Sequence, residues 1–483
     1  MTAGPGRRAS AGDRGLALNF LALSGGTFAS QLLNFLVILY VARVLGVTRF
    51  GEVALAQAIV LYFRLGSDLG LDMLGNRRVA ARRDTVTDEV GRLGGVRLLN
   101  AAIAFGLLVA LSVGLGASRP LSRLLVVFGL SLFPVAGSLE WAFAGLERME
   151  FVGLSRVVGA AIWLVVVVLA VHGGADTMMV PVAYVTGLAC AAGWLAVVFC
   201  RRHGRPPLRL SVAAWREAIC AALPLGLAFI VIQVYVGFGA LALGYFDGER
   251  SVGLYAAPQK IVLFLTSVAG LFGSAIFPRL VLLRELGQDR FERLLQVVAR
   301  VMVVLGLPLA VGGTLLAPAL VRFFYGASYE ASVPVFRLLI WSVMTVFGNV
   351  PFAYALLAAD RRKSYLTAAL AGAAVNIGSN LVLIPRLHLQ GPAVSTICSE
   401  VVVLAVLVVS ARRVARVSVK GILASSAGAT GLMVVALRLA GGWPFLGQVG
   451  LGAAVYAAGL LFCRGVHRSD LAVLRDAVAP PAG

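Results

Sequence analysis

Fourteen apolar stretches follow one another along the chain, and short polar segments separate them. A bilayer core about 30 Å thick needs ~20 apolar residues per helix, and each stretch is of about that length. The pattern predicts an all-α polytopic membrane protein with about 14 transmembrane helices and leaves no room for a soluble domain. The predicted helices, first to fourteenth, are residues 16–41, 52–74, 95–116, 121–144, 152–171, 178–200, 219–246, 252–278, 294–316, 333–357, 364–385, 391–410, 420–439 and 443–463.

Composition agrees with this class, because 60% of the residues are hydrophobic and only 13% are charged. A net charge of +20 raises the question of a nucleic-acid partner. The basic residues are instead divided unevenly across the predicted membrane: 29 Lys and Arg lie on the side of the two termini and nine on the other. Basic loops stay in the cytoplasm. We therefore predict a multi-pass protein with both termini cytoplasmic and no nucleic-acid partner.

Two internal matches indicate a repeat. Residues 50–60 (FGEVALAQAIV) share five of eleven identities with residues 252–262 (VGLYAAPQKIV), and Glu147-Arg148 aligns with Asp360-Arg361. Each match relates a helix to the sixth helix after it, so both copies have the same orientation in the membrane. This predicts two six-helix lobes related by a parallel repeat plus two C-terminal helices, with the substrate site between the lobes. The predicted parts are a cytoplasmic tail (1–14), an N-lobe (15–210), a C-lobe (211–412), the last two helices (413–464) and a second cytoplasmic tail (465–483).

Three cationic side chains fall inside predicted helices. At 1.5 Å per residue, Lys260 lies ~13 Å from the outer start of its helix, Arg300 ~10 Å from an inner start and Arg64 ~18 Å from the outer surface. Ionisable groups at such depth usually mark a polar cavity or a pairing network. We predict that the three bind an anionic head group such as a diphosphate.

Arg64 has an alternative role, a local ion pair with Asp68 four residues later. We do not include Arg97 in this group, because it lies close to a helix end and can snorkel.

Amide side chains accompany these cations. Gln31 and Asn34 lie three residues apart in the first helix, Gln57 is in the second, and Gln259 precedes Lys260 in the eighth. Positions three or four apart share one face of a helix, and a polar face should avoid lipid. We predict that the four amides line the same substrate cavity.

A second polar group is predicted in the C-lobe. Asn376 and Asn380 are one turn apart, as are Thr396 and Glu400 on the next helix. Their oxygens are suited to a coupling cation, whereas Asn pairs also join membrane helices by hydrogen bonds. For Glu400 we consider pairing with Lys260 in an empty cavity followed by proton uptake, or a neutral acid hydrogen-bonded within the lobe. The coupling ion, H⁺ or Na⁺, stays open, and no cofactor is predicted.

Three segments carry a family resemblance. LGVTRFGEVALAQAIV, LGYFDGERSVGLYAAPQKIV and NIGSNLVLIPRLHLQGPAVST resemble bacterial polysaccharide flippases of the O-antigen (Wzx) type, within the multidrug/oligosaccharidyl-lipid/polysaccharide exporter superfamily. The resemblance implies alternating access in the bacterial inner membrane, carrying a polyprenyl-diphosphate-linked oligosaccharide to the outer leaflet for cell-surface polysaccharide or lipopolysaccharide. It implies the lipid-linked oligosaccharide, membrane lipids and a polysaccharide polymerase or chain-length protein as partners.

The related lipid II flippase has a sodium site formed by an acid on helix 7, an Asn and an acid on helix 11, and a hydroxyl on helix 12. Asn376, Asn380 and Thr396 fall at the last three positions of that site. Asn380 replaces an acid, and Gly239 stands where the helix 7 acid would be, with Gln233 nearby. These departures argue against a sodium site of that type.

Three alternatives were weighed. A lipid II flippase belongs to the same class with another cargo. A multidrug antiporter of the superfamily is disfavoured because the first helix has no acidic residue. A membrane enzyme such as a polymerase or ligase needs a large outer loop with catalytic groups, whereas His172 and His388 stand alone. The five cysteines show no CxxC or Cys/His spacing, so we predict no metal site. The sequence shows no nucleophile, metal or general-base constellation, so we predict that the protein is not an enzyme.

Overall fold

The computed structural model describes the backbone of residues 6–116, 119–207, 211–418 and 420–463. Side chains are described from Leu23 onwards, apart from a few positions in the helices that begin at Val212 and Lys420. Throughout these ranges every regular element is a helix, which confirms the all-α prediction. Packing divides the chain into two compact units, one of Gly15–Ala256 and one that combines Met1–Arg14 with Ala257–Gly483. Repeat symmetry is a different criterion from packing, so the predicted lobe boundaries stay a prediction.

The described residues before Ala257 form nine α-helices and the start of a tenth. The nine are α1 (Gly6–Asp68), α2 (Leu71–Ala81), α3 (Val86–Gly114), α4 (Pro120–Gly129), α5 (Leu132–Gly137), α6 (Glu140–Gly145), α7 (Met149–Ala170), α8 (Met179–His203) and α9 (Val212–Asp247), with 3₁₀ helices at Arg83–Thr85 and Gly174–Met178.

The rest of the described chain continues in the same way. Its helices are α10 (Glu249–Leu286), α11 (Gln288–Tyr325), α12 (Val333–Leu339), α13 (Trp341–Ala358), α14 (Arg362–Leu387), α15 (Gly391–Ala411), α16 (Lys420–Leu439) and α17 (Phe445–Phe462), with 3₁₀ helices at Ala327–Ser332 and His388–Gln390.

The helices match the predicted membrane spans. Eleven segments of the described chain are long and apolar enough to cross a bilayer. Two of them hold two helices each, because Leu23–Asp68 bends at Gly46 and Arg362–Ala411 contains α14 and α15. The 36-residue α9 is a further helix of spanning length, so the fold accommodates fourteen spans. Helix α1 already begins at Gly6, inside the predicted tail 1–14, and the predicted tail 465–483 lies outside the described residues.

Two pairs of backbone features recur at the spacings of the predicted repeat. Gly46 bends α1 with φ 72° and ψ 176°, and Gly248 separates α9 from α10 with φ 79° and ψ 179°. Such positive φ favours glycine, which has no Cβ to clash. Glu147 and Asp360 also have positive φ, 59° and 54°, at the ends of their helices. Paired positions with the same backbone geometry support two copies of one structural unit.

Two predicted spans are broken into shorter helices. The fourth span, predicted at 121–144, consists of α4, α5 and α6, and the tenth begins as the short α12 before α13. Gly129 and Gly137 end α4 and α5, and glycine is a weak helix former. Ser138 is then extended, with φ −67° and ψ 133°. The last carbonyl groups of α5 therefore lose the N–H partners four residues later that a continuous helix would supply, and that of Val135 accepts the Ser138 N–H at 3.2 Å instead.

Each unit has its own apolar core. Trp141, Phe143 and Phe199 are buried with residues of α2 and α3 in the first unit. In the second, Met433 of α16 and Tyr456 of α17 pack against partly buried side chains of α11. These cores hold the helices whose polar residues are described next.

Candidate functional site

A buried guanidinium lies in the first unit. Arg97 of α3 is only 3% exposed and forms ion pairs with Asp72 and, at 3.4 Å, with Asp68. Its Nε and Nη2 donate hydrogen bonds of 3.0 Å to the carbonyl oxygens of Ala136 and Val135. One guanidinium thus pairs with two carboxylates and donates to two carbonyls at the end of α5, so its buried charge is both compensated and hydrogen-bonded.

Arg97 contacts two places where helices end, the end of α1 at Asp68 and the end of α5. Asp68 ends α1 and its carboxylate accepts the Gly70 backbone N–H at 3.1 Å, where Leu69 and Gly70 have positive φ. The local ion pair considered between Arg64 and Asp68 is therefore wrong: Asp68 pairs with Arg97, and Arg64 is exposed. Setting Arg97 aside as a snorkelling residue was also wrong, because its guanidinium points into the protein.

Next to this cluster lies an apolar cavity of about 350 Å³. The Asn100 side chain donates to the Ser67 carbonyl at 3.0 Å and accepts from the Trp215 indole at 2.7 Å, while the Tyr62 hydroxyl donates to the Val234 carbonyl. The polar groups at its wall are thus already paired. The predicted cavity residues of α1 are absent from its lining, which is Tyr62, Phe63, Gly66, Leu69, Asn100, Ile103, Ala104, Leu107 and Trp215.

The four predicted amides are placed on two helices. Gln31, Asn34 and Gln57 on α1 and Gln259 on α10 are all partly buried. The Gln31 Oε1 atom is buried without a hydrogen-bond partner. A buried acceptor without a partner costs free energy, so Gln31 is the amide of this set most in need of a donor from outside the chain.

The two deeper cations lie on neighbouring helices of the chain. Lys260 of α10 and Arg300 of α11 are each partly buried. Among the described residues, the hydrogen bonds and ion pairs do not include the Lys260 ammonium. An ammonium within a membrane span normally has an anionic or carbonyl partner. Within the described residues, Lys260 has no such partner.

Glu400 has a different partner from the one considered. Its carboxylate on α15 accepts a hydrogen bond of 2.8 Å from the Asn349 amide on α13. The described ion pairs include none between Glu400 and Lys260, so this structure does not contain that pairing. The sequence pattern did not indicate Asn349, because a single amide in an apolar helix has no second polar residue at helical spacing. Its Oδ1 atom is buried without a partner.

The asparagine pair joins two helices. Asn376 of α14 donates to the Ser399 hydroxyl of α15 at 3.2 Å, and the Asn380 amide donates to both the backbone carbonyl (2.8 Å) and the side-chain oxygen (2.9 Å) of Asn376. Both asparagines are almost fully buried. Thr396 donates within α15 to the Pro392 carbonyl. Asn376 thus joins α14 to α15 through Ser399, a partner that the sequence reasoning missed, whereas Asn380 bonds within α14.

The described part of this region offers buried oxygen atoms to a cation but no cluster of charged ligands. The Asn380 Oδ1 and Ser395 Oγ atoms are buried without partners. Nevertheless, the described residues contain no group of three or more His, Cys, Asp or Glu able to hold a metal ion. Neutral oxygens without a carboxylate bind a metal ion weakly, since charged ligands dominate such sites.

Comparison with known proteins gives the family. A family model described as polysaccharide biosynthesis protein matches residues 16–283. Two candidate O-antigen transporters, from Shigella dysenteriae and Escherichia coli (strain K12), are each 22% identical to this chain. The alignments cover 63% and 66% of this chain and 76% and 77% of those relatives.

Solved structures give the fold. The lipid II flippase MurJ in its inward closed conformation aligns with a TM-score of 0.74 at 15% identity, covering 92% of this chain and 98% of MurJ. An inward-facing multidrug resistance MATE family transporter of the MOP superfamily aligns with a TM-score of 0.62 at 14% identity, covering 82% and 97%. These are membrane transporters and not enzymes. The chain is thus a multi-pass bacterial membrane protein that belongs to the polysaccharide biosynthesis protein family.

Proposed function

We propose that the protein is a flippase that moves a polyprenyl-diphosphate-linked oligosaccharide from the inner to the outer leaflet by alternating access. The observation that carries the proposal is the family match over residues 16–283 together with O-antigen transporters as relatives. The cargo class is supported by the site, since Lys260 keeps an ammonium available for an anionic head group within the membrane span.

In this proposal both cations and amides bind the substrate head group. Arg64, Lys260 and Arg300 balance the diphosphate charge, and a diphosphate needs such partners because charge is costly in a low-dielectric medium. In the proposal, the amides of Gln31, Asn34, Gln57 and Gln259 bind sugar hydroxyls and phosphate oxygens. The buried, unpartnered Gln31 Oε1 suits a hydroxyl donor.

Energy coupling is proposed to reside at Glu400, with Asn349 as its partner. A carboxyl group that accepts from one neutral amide within the membrane is able to gain or lose a proton without breaking an ion pair. Asn376 links α14 to α15 through the Ser399 hydroxyl, while Asn380 and Thr396 bond within their own helices. We propose H⁺ as the coupling ion in preference to Na⁺, because Asn380 and Gly239 replace the acids of a sodium site.

The experiment is genetic complementation of two strains. Expression in a strain lacking its O-antigen flippase should restore surface glycan. Expression in a strain depleted of its lipid II flippase should not restore growth. Lipid II is the second candidate cargo, favoured by the TM-score of 0.74 to MurJ, and rescue of only the second strain would establish it. Rescue of drug export without either glycan would establish a multidrug antiporter.

A further inference from the structure

Two glycines at equivalent repeat positions touch each other. A methyl group placed on Gly51 of α1 would lie 1.8 Å from the Glu249 carbonyl oxygen and 2.9 Å from the Gly253 nitrogen. One placed on Gly253 of α10 would lie 2.1 Å from the Val47 carbonyl oxygen and 3.1 Å from the Gly51 nitrogen. All four residues belong to the unit Gly15–Ala256. The backbones of α1 and α10 are therefore in contact with no side chain between them.

The contact is reciprocal. Val47 and Glu249 are separated by the same number of residues as Gly51 and Gly253. Gly51 lies against the carbonyl of Glu249, four residues before Gly253, and Gly253 lies against the carbonyl of Val47, four residues before Gly51. A residue pair that contacts i to j and j to i is the mark of a local two-fold relation. The contact therefore joins the same turn of both repeats, just after the bends at Gly46 and Gly248.

Contacts of this kind are close, and each contributes little free energy on its own. Small residues let membrane helices approach until Cα–H groups meet carbonyl oxygens, and such contacts are individually weak. The nearby ion pair of Arg49 with Glu52 is internal to α1, with both carboxylate oxygens 3.0 Å from Nη1. Separating α1 from α10 at this turn leaves that ion pair intact.

We propose that the Gly51–Gly253 contact is the closed gate at the outer end of the transport pathway. In the predicted topology, α1 after its bend and α10 both begin at the outer face. While the two backbones touch, an oligosaccharide diphosphate has no passage between these turns, and release outward requires them to part. This inference rests on the proposed function for its cargo, whereas the gate itself is a property of the two helices.

The test places a methyl group between the two backbones by substituting alanine for each glycine. Both glycines have ordinary helical backbone angles, and alanine is the better helix former, so neither helix is weakened by the change. Gly51→Ala and Gly253→Ala, made separately, should each lower the ratio of closed to open gate by roughly tenfold or more, since overpacking of this kind is strongly disfavoured. Gly270→Ala on α10 is the matched control, because a methyl group there meets nothing within 4 Å.

Gate closure is measured as the distance between spin labels at Thr48 and Arg250, which are exposed and equivalent in the repeat. The measurement uses a cysteine-free chain in lipid nanodiscs. The unsubstituted chain and Gly270→Ala should show a short-distance population that Gly51→Ala and Gly253→Ala both lose. An unchanged short population in either of those two variants overturns the gate. Loss of that population in a protein that flips no glycan refutes the proposed function and retains the gate.

Discussion

The Asn349 amide donates a 2.8 Å hydrogen bond to the Glu400 carboxylate and links α13 to α15 within the second unit. The Asn349 Oδ1 atom has no partner of its own. A protonated Glu400 supplies a hydroxyl donor, so a proton would allow the amide to rotate and exchange its role from donor to acceptor. The amide is thus able to hydrogen-bond to Glu400 in either protonation state of the acid.

We predict that Glu400→Gln uncouples transport from the proton gradient. Glutamine mimics the protonated acid and keeps a partner for Asn349, so the helices stay joined while proton uptake is lost. Flipping in reconstituted vesicles should become independent of an imposed pH gradient, and head-group binding should persist. Glu285→Gln, at an exposed position on α10, is the control and should keep the gradient dependence. A fully gradient-dependent Glu400→Gln variant would leave Glu400 with a purely structural role.

A second prediction concerns the buried cation of the first unit. Arg97→Ala should lower the free energy of unfolding by roughly 3 kcal/mol, because it leaves Asp68 and Asp72 without their shared partner. The midpoint of thermal unfolding in detergent is the measurement. Arg156→Ala, which removes an ion pair with Glu140 whose side chains are 40% and 35% exposed, should cost only about 0 to 1 kcal/mol. Equal midpoints for the two variants would contradict the anchoring role of Arg97.

The sequence was sufficient to predict the membrane-spanning helices but not the positions where they are broken. Apolar length alone located fourteen spans, because a bilayer imposes that length on every crossing segment. The repeat was also visible, since Gly51/Gly253 and Glu147/Asp360 occupy matched positions. The division of 121–144 into three helices was not predicted, because the stabilisation of the open end of α5 comes from Arg97 on another helix.

The polar contacts were the least predictable part. Arg97 and Asp72 are 25 residues apart and on different helices, so no helical spacing relates them. A signal was nevertheless present: an Arg in an apolar helix following two Asp in the preceding one suggests charge compensation. Glu400 was recognised by its depth, but Asn349 lies 51 residues earlier and looks like any polar residue in an apolar helix.

The third prediction tests orientation. Single cysteines at Ala81 and Arg205, in a cysteine-free chain, should resist a membrane-impermeant thiol reagent applied to intact cells, and a cysteine at Ala175 should react. All three positions are exposed. Ala175 is preferred to Asp176, whose carboxylate accepts the backbone N–H groups of His172 and Gly173. Labelling at Arg205 from outside would reverse the predicted topology.

The fourth prediction separates helix joining from cation binding at Asn376. Asn376→Ala removes its hydrogen bonds to Ser399 and Asn380 and should cost about 1 kcal/mol of stability, in line with side-chain hydrogen bonds between membrane helices. Transport should be unchanged when sodium is replaced by potassium on both sides of the vesicle membrane. A requirement for sodium that Asn376→Ala removes would instead assign a cation site to this cluster.

The central claim is that the protein flips a diphosphate-linked oligosaccharide with Lys260 at the head group. The most direct measurement is the fraction of a polyprenyl-diphosphate oligosaccharide in proteoliposomes that an added, membrane-impermeant glycosidase cleaves. The account predicts that vesicles with the unsubstituted protein expose nearly all of the lipid over time and that Lys260→Ala vesicles resemble protein-free ones. It also predicts partial activity for Lys260→Arg, which keeps the charge. Cleavage with the unsubstituted protein no greater than in protein-free vesicles, or full cleavage with Lys260→Ala, would contradict the account.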